Sequence, residues 1–120
     1  MAKTVDLELK KAFAELQLKM LETSQKLKLA DVQIDNLKKS IHHAELTDKE
    51  ISALPSDTKT YESVGRMFLL TDKDDVGKHL HTKIENCTEK IKSLENNKSY
   101  LERSLKDSEN NLREMVQQRK

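Results

Sequence analysis

The sequence predicts a mostly α fold: a long antiparallel two-helix coiled coil with a β-hairpin inserted between the helices. Three observations predict it. Close to half of the 120 residues are Ala, Glu, Lys, Leu or Arg, the mix found in long helices and coiled coils. Apolar residues recur in two separate runs at alternating steps of four and three, the spacing that keeps one stripe facing a partner helix. Between the runs, TKTYESVGRMFLLT at residues 58–71 collects β-branched and aromatic residues around Gly65-Arg66, which favours strands. At 120 residues the chain is one domain long, so residues 1–120 are read as a single domain.

Helix 1 is read over residues 4–45. Thr4 stands as its N-cap, with Asp6 and Glu8 in the first turn, where the helix dipole favours negative charge. One heptad line is Phe13, Met20, Leu27, Ile34 and Ile41; the other is Leu9, Leu16, Thr23, Ala30, Leu37 and Ala44. At about 1.5 Å per residue this is a rod of roughly 60 Å. After His42-His43 the pattern stops, and LTDKEI reads as a fresh helix start over residues 47–54. Thr47 would cap it, Glu50 would reach back as the capping-box partner, and Leu46 would staple onto Ile51. Pro55 ends it.

The hairpin occupies residues 58–71, with strands near 59–64 and 67–70 reversing around Gly65. Met67, Phe68, Leu69 and Leu70 are consecutive, so apolar side chains point to both faces of the ribbon. A lone two-stranded ribbon is marginal in water, and its unpaired edges invite another strand. The hairpin is therefore expected to join strands from other subunits.

Helix 2 is read over residues 72–119, capped by Thr71 or Asp72, with Asp74 and Asp75 in its first turn. Its heptad lines are Leu80, Cys87, Leu94, Leu101, Ser108 and Met115, and Gly77, Ile84, Ile91, Lys98, Leu105 and Leu112. Matching the two stripes suggests a register that pairs Leu9 with Leu112, Leu16 with Leu105, Leu27 with Leu94 and Ile41 with Leu80. It sets Thr23 against Lys98, the one charge in the middle of the second stripe, and Phe13 against Ser108. A polar layer of that kind can fix register at some cost in stability.

Other function classes find little support. Net charge is +1, with 22 basic and 21 acidic residues well mixed, so no one-sided positive field exists for nucleic acid. A single cysteine, Cys87, excludes an intrachain disulfide and fits a reducing compartment. The first residues lack a signal-peptide core, and no run of about 18 apolar residues occurs. A cytoplasmic chain with no membrane partner is expected. His42, His43, His79 and His81 lie off the seam without metal-ligand spacing and read as surface residues. Cys87 reads as a small buried hydrophobe. No nucleophile elbow, phosphate loop or metal cluster is present, so neither catalysis nor a cofactor is expected. Apolar residues off the stripes remain. Val5, Leu7 and Val116 lie near the chain ends, and Leu18, Leu21, Leu29 and Val32 lie along the outside of helix 1. They are either ordinary exposed side chains or a weak apolar grip on another protein.

This plan of helix, hairpin and helix resembles the β-class subunits of prefoldin. The resemblance runs from about Val5 to Met115 and is carried by VDLELKKAF at 5–13, KLADVQI at 28–34, LTDKEI at 46–51, YESVGRMFLL at 61–70 and KSYLERSLK at 98–106. It implies a subunit of a cytosolic hexameric co-chaperone with two α-class and four β-class subunits. Its hairpins combine into β-barrels, and its coiled-coil tips hold unfolded actin, tubulin and other clients for the cytosolic chaperonin, without ATP hydrolysis. By that resemblance, assembly maps to Tyr61, Val64, Met67, Phe68, Leu69 and Leu70, and client contact to Leu7, Leu9, Leu112, Met115 and Val116. The competing expectation is a structural adaptor or tether that bridges two partners and holds no unfolded protein.

Overall fold

A computed structural model of the chain describes residues 2–118, with side chains over residues 7–118. The order is α1 (Ala2–Ser52), β1 (Thr60–Val64), β2 (Met67–Thr71) and α2 (Lys73–Gln118). The fold class read from the sequence is the one observed.

α1 starts at Ala2, ahead of Thr4, so Thr4 lies within the helix; Ala and Lys before it are good helix formers and nothing there stops the helix. The larger correction is at the other end. No break separates a first helix ending at residue 45 from a short helix at 47–54, because α1 continues to Ser52. Thr47 is not a cap: its hydroxyl donates to the His43 carbonyl one turn back, at 2.9 Å, a mid-helix arrangement. Leu46 stays exposed and makes no staple. The heptad in fact continues from Ala44 through Asp48 to Ile51. Asp48 is polar at a seam position and so concealed the continuation. Its carboxylate lies 3.0 Å from His81 Nε2.

α1 ends by tightening. The Ala53 amide reaches both the Lys49 and Glu50 carbonyls, and the Leu54 amide reaches Ile51. The freed carbonyls of a helix C-terminus need donors, and Lys73 supplies them. Its ammonium donates to the Ser52 carbonyl at 3.1 Å and the Leu54 carbonyl at 2.6 Å. At the start of α2, Asp72 takes the cap position: its carbonyl accepts from the Val76 amide at 3.0 Å. Asp74 and Asp75 follow in the first turn, the favourable sign beside the positive end of the dipole.

The strands pair antiparallel, Thr60 with Thr71 through Val64 with Met67. Gly65 has φ 62°, and among the described residues no other residue type has positive φ. Positive φ at the first central residue alone is the mark of a type II′ turn, whose twist matches that of the paired strands.

The chain divides into two units, Met1–Gln33 with Leu94–Lys120, and Ile34–Ser93. In the first, Thr23, Ala30 and Leu112 are buried; in the second, Ile34, Ala44, Val76 and Cys87 are. Among the described residues no large side chain is fully buried, as expected where only one stripe of each helix is covered. Register differs from the sequence expectation by one heptad in each unit. In the first, Lys98 pairs with Asp31 rather than Thr23, and Leu16 shares its grooves with Leu112 rather than Leu105. In the second, Asp48 meets His81, and Ile51 and Gly77 line one groove. The physical reason is the extra heptad at the end of α1. A seven-residue slip leaves every apolar stripe in phase, so the longer helix selects the register, and the Lys98–Asp31 and His81–Asp48 contacts form within it.

Candidate functional site

The hairpin is built so that its side chains alternate between two faces. Tyr61, Ser63, Phe68 and Leu70 share one face; Thr60, Glu62, Val64, Met67, Leu69 and Thr71 share the other. The second face is partly tied down. Thr60, Glu62 and Thr71 are half-buried, and Glu62 Oε1 lies 2.7 Å from His79 Nδ1 on α2. The Thr60 hydroxyl also donates to the Thr71 carbonyl. The first face carries no such tie. Phe68 is 72% exposed, and Tyr61, Leu70, Val64, Met67 and Leu69 are all exposed as well. The sequence-derived assembly residues therefore lie together on one ribbon, uncovered on both faces.

The residues assigned to client contact are sorted differently. Leu7 is exposed, Leu9, Met115 and Val116 are half-buried, and Leu112 is 8% exposed. Leu112 is thus a seam residue whose side chain forms the floor of the surface. Val5 lies outside the residues whose side chains are described. Two residues that the heptad placed in the seam come to the surface instead: Phe13 is 46% exposed and Met20 42%. With Leu16, Leu112, Arg113 and Val116 they line an open groove of about 460 Å³. The signal that could have found them is size. A seam between two helices is covered from one side only, so large residues at its edge keep an open flank.

The polar side of this unit is held by lysines from opposite helices. Lys19 donates to the Ser108 hydroxyl at 2.5 Å and the Ser104 carbonyl at 3.4 Å, and the Ser108 hydroxyl donates to Ser104 in turn. Lys98, a charge at a seam position, donates to Asp31. That hydrogen bond outweighs burial and raises the Lys98 pKa above the usual lysine value, with the charges of Asp31, Glu102 and Glu95 acting in the same sense. Cys87 is a buried free thiol, and among the described residues no helix is long and apolar enough to cross a membrane.

Comparison with known proteins adds to this geometry. The family described as prefoldin subunit matches over residues 6–119. The chain is 54% identical to prefoldin subunit 1 of Homo sapiens, across all of this chain and 98% of that protein. It is 38% identical to prefoldin subunit 1 of Arabidopsis thaliana, over 89% of this chain and 84% of that one. The crystal structure of the prefoldin beta subunit from Thermococcus strain KS-1 superposes with a TM-score of 0.72. At 24% identity, covering 89% of this chain and 90% of that chain, this structure speaks for the fold alone.

Proposed function

The chain belongs to the prefoldin subunit family, and from that premise we propose that it is a β-class subunit of a hexameric, ATP-independent co-chaperone acting in the cytosol. The observation that carries the reading is the ribbon. It exposes Tyr61, Val64, Met67, Phe68, Leu69 and Leu70 with nothing of its own chain laid over them. Apolar area removed from water is worth roughly 25 cal/mol per Å², and an unpaired strand edge accepts a further strand through its main chain. Hairpins of α-class and further β-class subunits supply both covers at once.

Client holding belongs to the other unit. Unfolded actin or tubulin presents apolar segments without a fixed shape, which suits a shallow open groove better than a closed pocket. Leu7, Leu9, Met115 and Val116, together with Phe13 and Met20, offer that surface, with Leu112 beneath. Each grip is weak. Several subunits acting on one client raise its effective concentration at each tip, and release to the cytosolic chaperonin then needs no nucleotide.

The test is suppression of aggregation of chemically denatured actin by the purified assembly, without ATP. Protection that falls when Phe13 and Met20 are both changed to Ser supports the reading. No protection by the intact assembly replaces it with an adaptor or tether that bridges fixed partners.

A further inference from the structure

Among the described residues, one hydrogen bond joins a side chain of the ribbon to a helix: the Glu62 carboxylate accepts from His79 Nδ1 at 2.7 Å. Glu62 stands opposite Leu69 in the strand register, close to the Thr71 end of β2, and His79 lies in the second turn of α2. If the ribbon continued the line of α2, the two Cα positions would stand at least roughly 16 Å apart, at about 3.4 Å per strand residue and about 1.5 Å per helical residue. A glutamate and a histidine do not span that gap. The contact therefore forms only where the ribbon bends back over the first two turns of α2.

The bend decides which way the faces of the ribbon look. Drawing Glu62 toward α2, with the half-buried Thr60 and Thr71 beside it, turns the opposite face outward, and that face carries Tyr61, Phe68 and Leu70. Little else fixes the angle. One leg of the ribbon is the loop at residues 53–59, and the other passes through Asp72 alone into α2. A pair such as Lys39 with Asp35, one turn apart on α1, constrains nothing beyond its own helix; Glu62 and His79 join two elements, 17 residues apart. The side chains are 30% and 63% exposed, so solvent screens the pair and it adds little to the stability of the subunit. Its effect is pre-organisation, since a ribbon free to swing must be ordered when a partner binds. We infer that Glu62 and His79 are positioning residues for assembly: the pair sets the angle between ribbon and α2 and presents the Tyr61, Phe68 and Leu70 face before a partner subunit arrives. This rests on the reading of the ribbon as the assembly surface.

The test uses the full-length chain, alone and in the assembly in which it purifies. Arg66 and Lys90 are both exposed, and spin labels on Arg66→Cys and Lys90→Cys, in a Cys87→Ser background, read the ribbon angle before assembly. One narrow distance is expected with Glu62 and His79 intact, and a broad distribution with His79→Ala. His79→Ala should also raise the dissociation constant of the assembly about threefold to fivefold, the range open to an exposed pair, with the helical melt by circular dichroism unmoved. Glu62→Ala should match it, and the two together should be no worse than either. Glu62→Gln, whose amide oxygen still accepts from Nδ1, should keep the narrow distance and the affinity. An unchanged dissociation constant in His79→Ala would overturn the inference, as would an unchanged distance distribution. A helical melt lowered in step with assembly would overturn it too, making the pair a prop of the coiled coil. Phe68→Lys with Leu70→Lys separates this from the assembly reading: if that variant still assembles, the reading has failed and the inference falls with it, whatever His79→Ala does.

Discussion

The ribbon and the helical seam draw on the same kinds of residue and treat them in opposite ways. Seam residues such as Ile34, Ala30 and Leu112 are buried within their own chain. Ribbon residues such as Phe68, Leu70 and Met67 are among the most exposed apolar side chains of the molecule. The difference lies in the number of surfaces each element must cover. A helix with one apolar stripe is satisfied by one partner helix, and this chain brings its own. A two-stranded ribbon with apolar residues on two faces and two open edges needs more neighbours than one chain supplies. Seam residues should therefore govern the stability of the subunit, and ribbon residues its assembly.

That contrast can be broken most sharply at the ribbon. Phe68→Lys with Leu70→Lys should abolish assembly in native mass measurements while circular dichroism retains most of the helix signal; intact hexamers would end the contrast. At the seam, Ile34→Ala should lower unfolding stability by about 2 kcal/mol, toward the low end for a core isoleucine because the seam is thin. Assembly at low temperature should survive it, and chemical denaturation of the reconstituted complex reads both. Gly65→Ala tests the turn. Nothing lies within 4 Å of an added Cβ there, so the cost, about 1 kcal/mol, comes from the left-handed backbone alone. It should appear as a modest weakening of assembly with the helical melt unmoved.

The smallest effect is at Lys98. Its folded-state pKa is raised through Asp31, so its contribution is fully present below the ordinary lysine value near 10.5 and is lost as pH rises through the raised value. Thermal melts across that alkaline range should fall more for the wild type than for Asp31→Asn. Identical slopes would remove Lys98 from the account of register.

Much of this was legible in the sequence. The two heptad runs, the strand-forming insert with its turn at Gly65, and the presence of apolar residues on both sides of Met67–Leu70 follow from local periodicity, which side-chain chemistry sets residue by residue. The exposed leucines along the outside of α1 were visible in the same way. Length and register were not. Asp48, charged at a seam position, looked like the end of a pattern because its partner His81 lies 33 residues away. A stripe that repeats every seven residues specifies which face of a helix meets its partner and leaves open which heptad it meets. The longer α1 settles that choice, and the contacts of Asp31 with Lys98 and Asp48 with His81 mark it. In that register Leu112 is buried while Phe13 and Met20 stay at the surface, because periodicity sets phase along one helix and contact between two sets register.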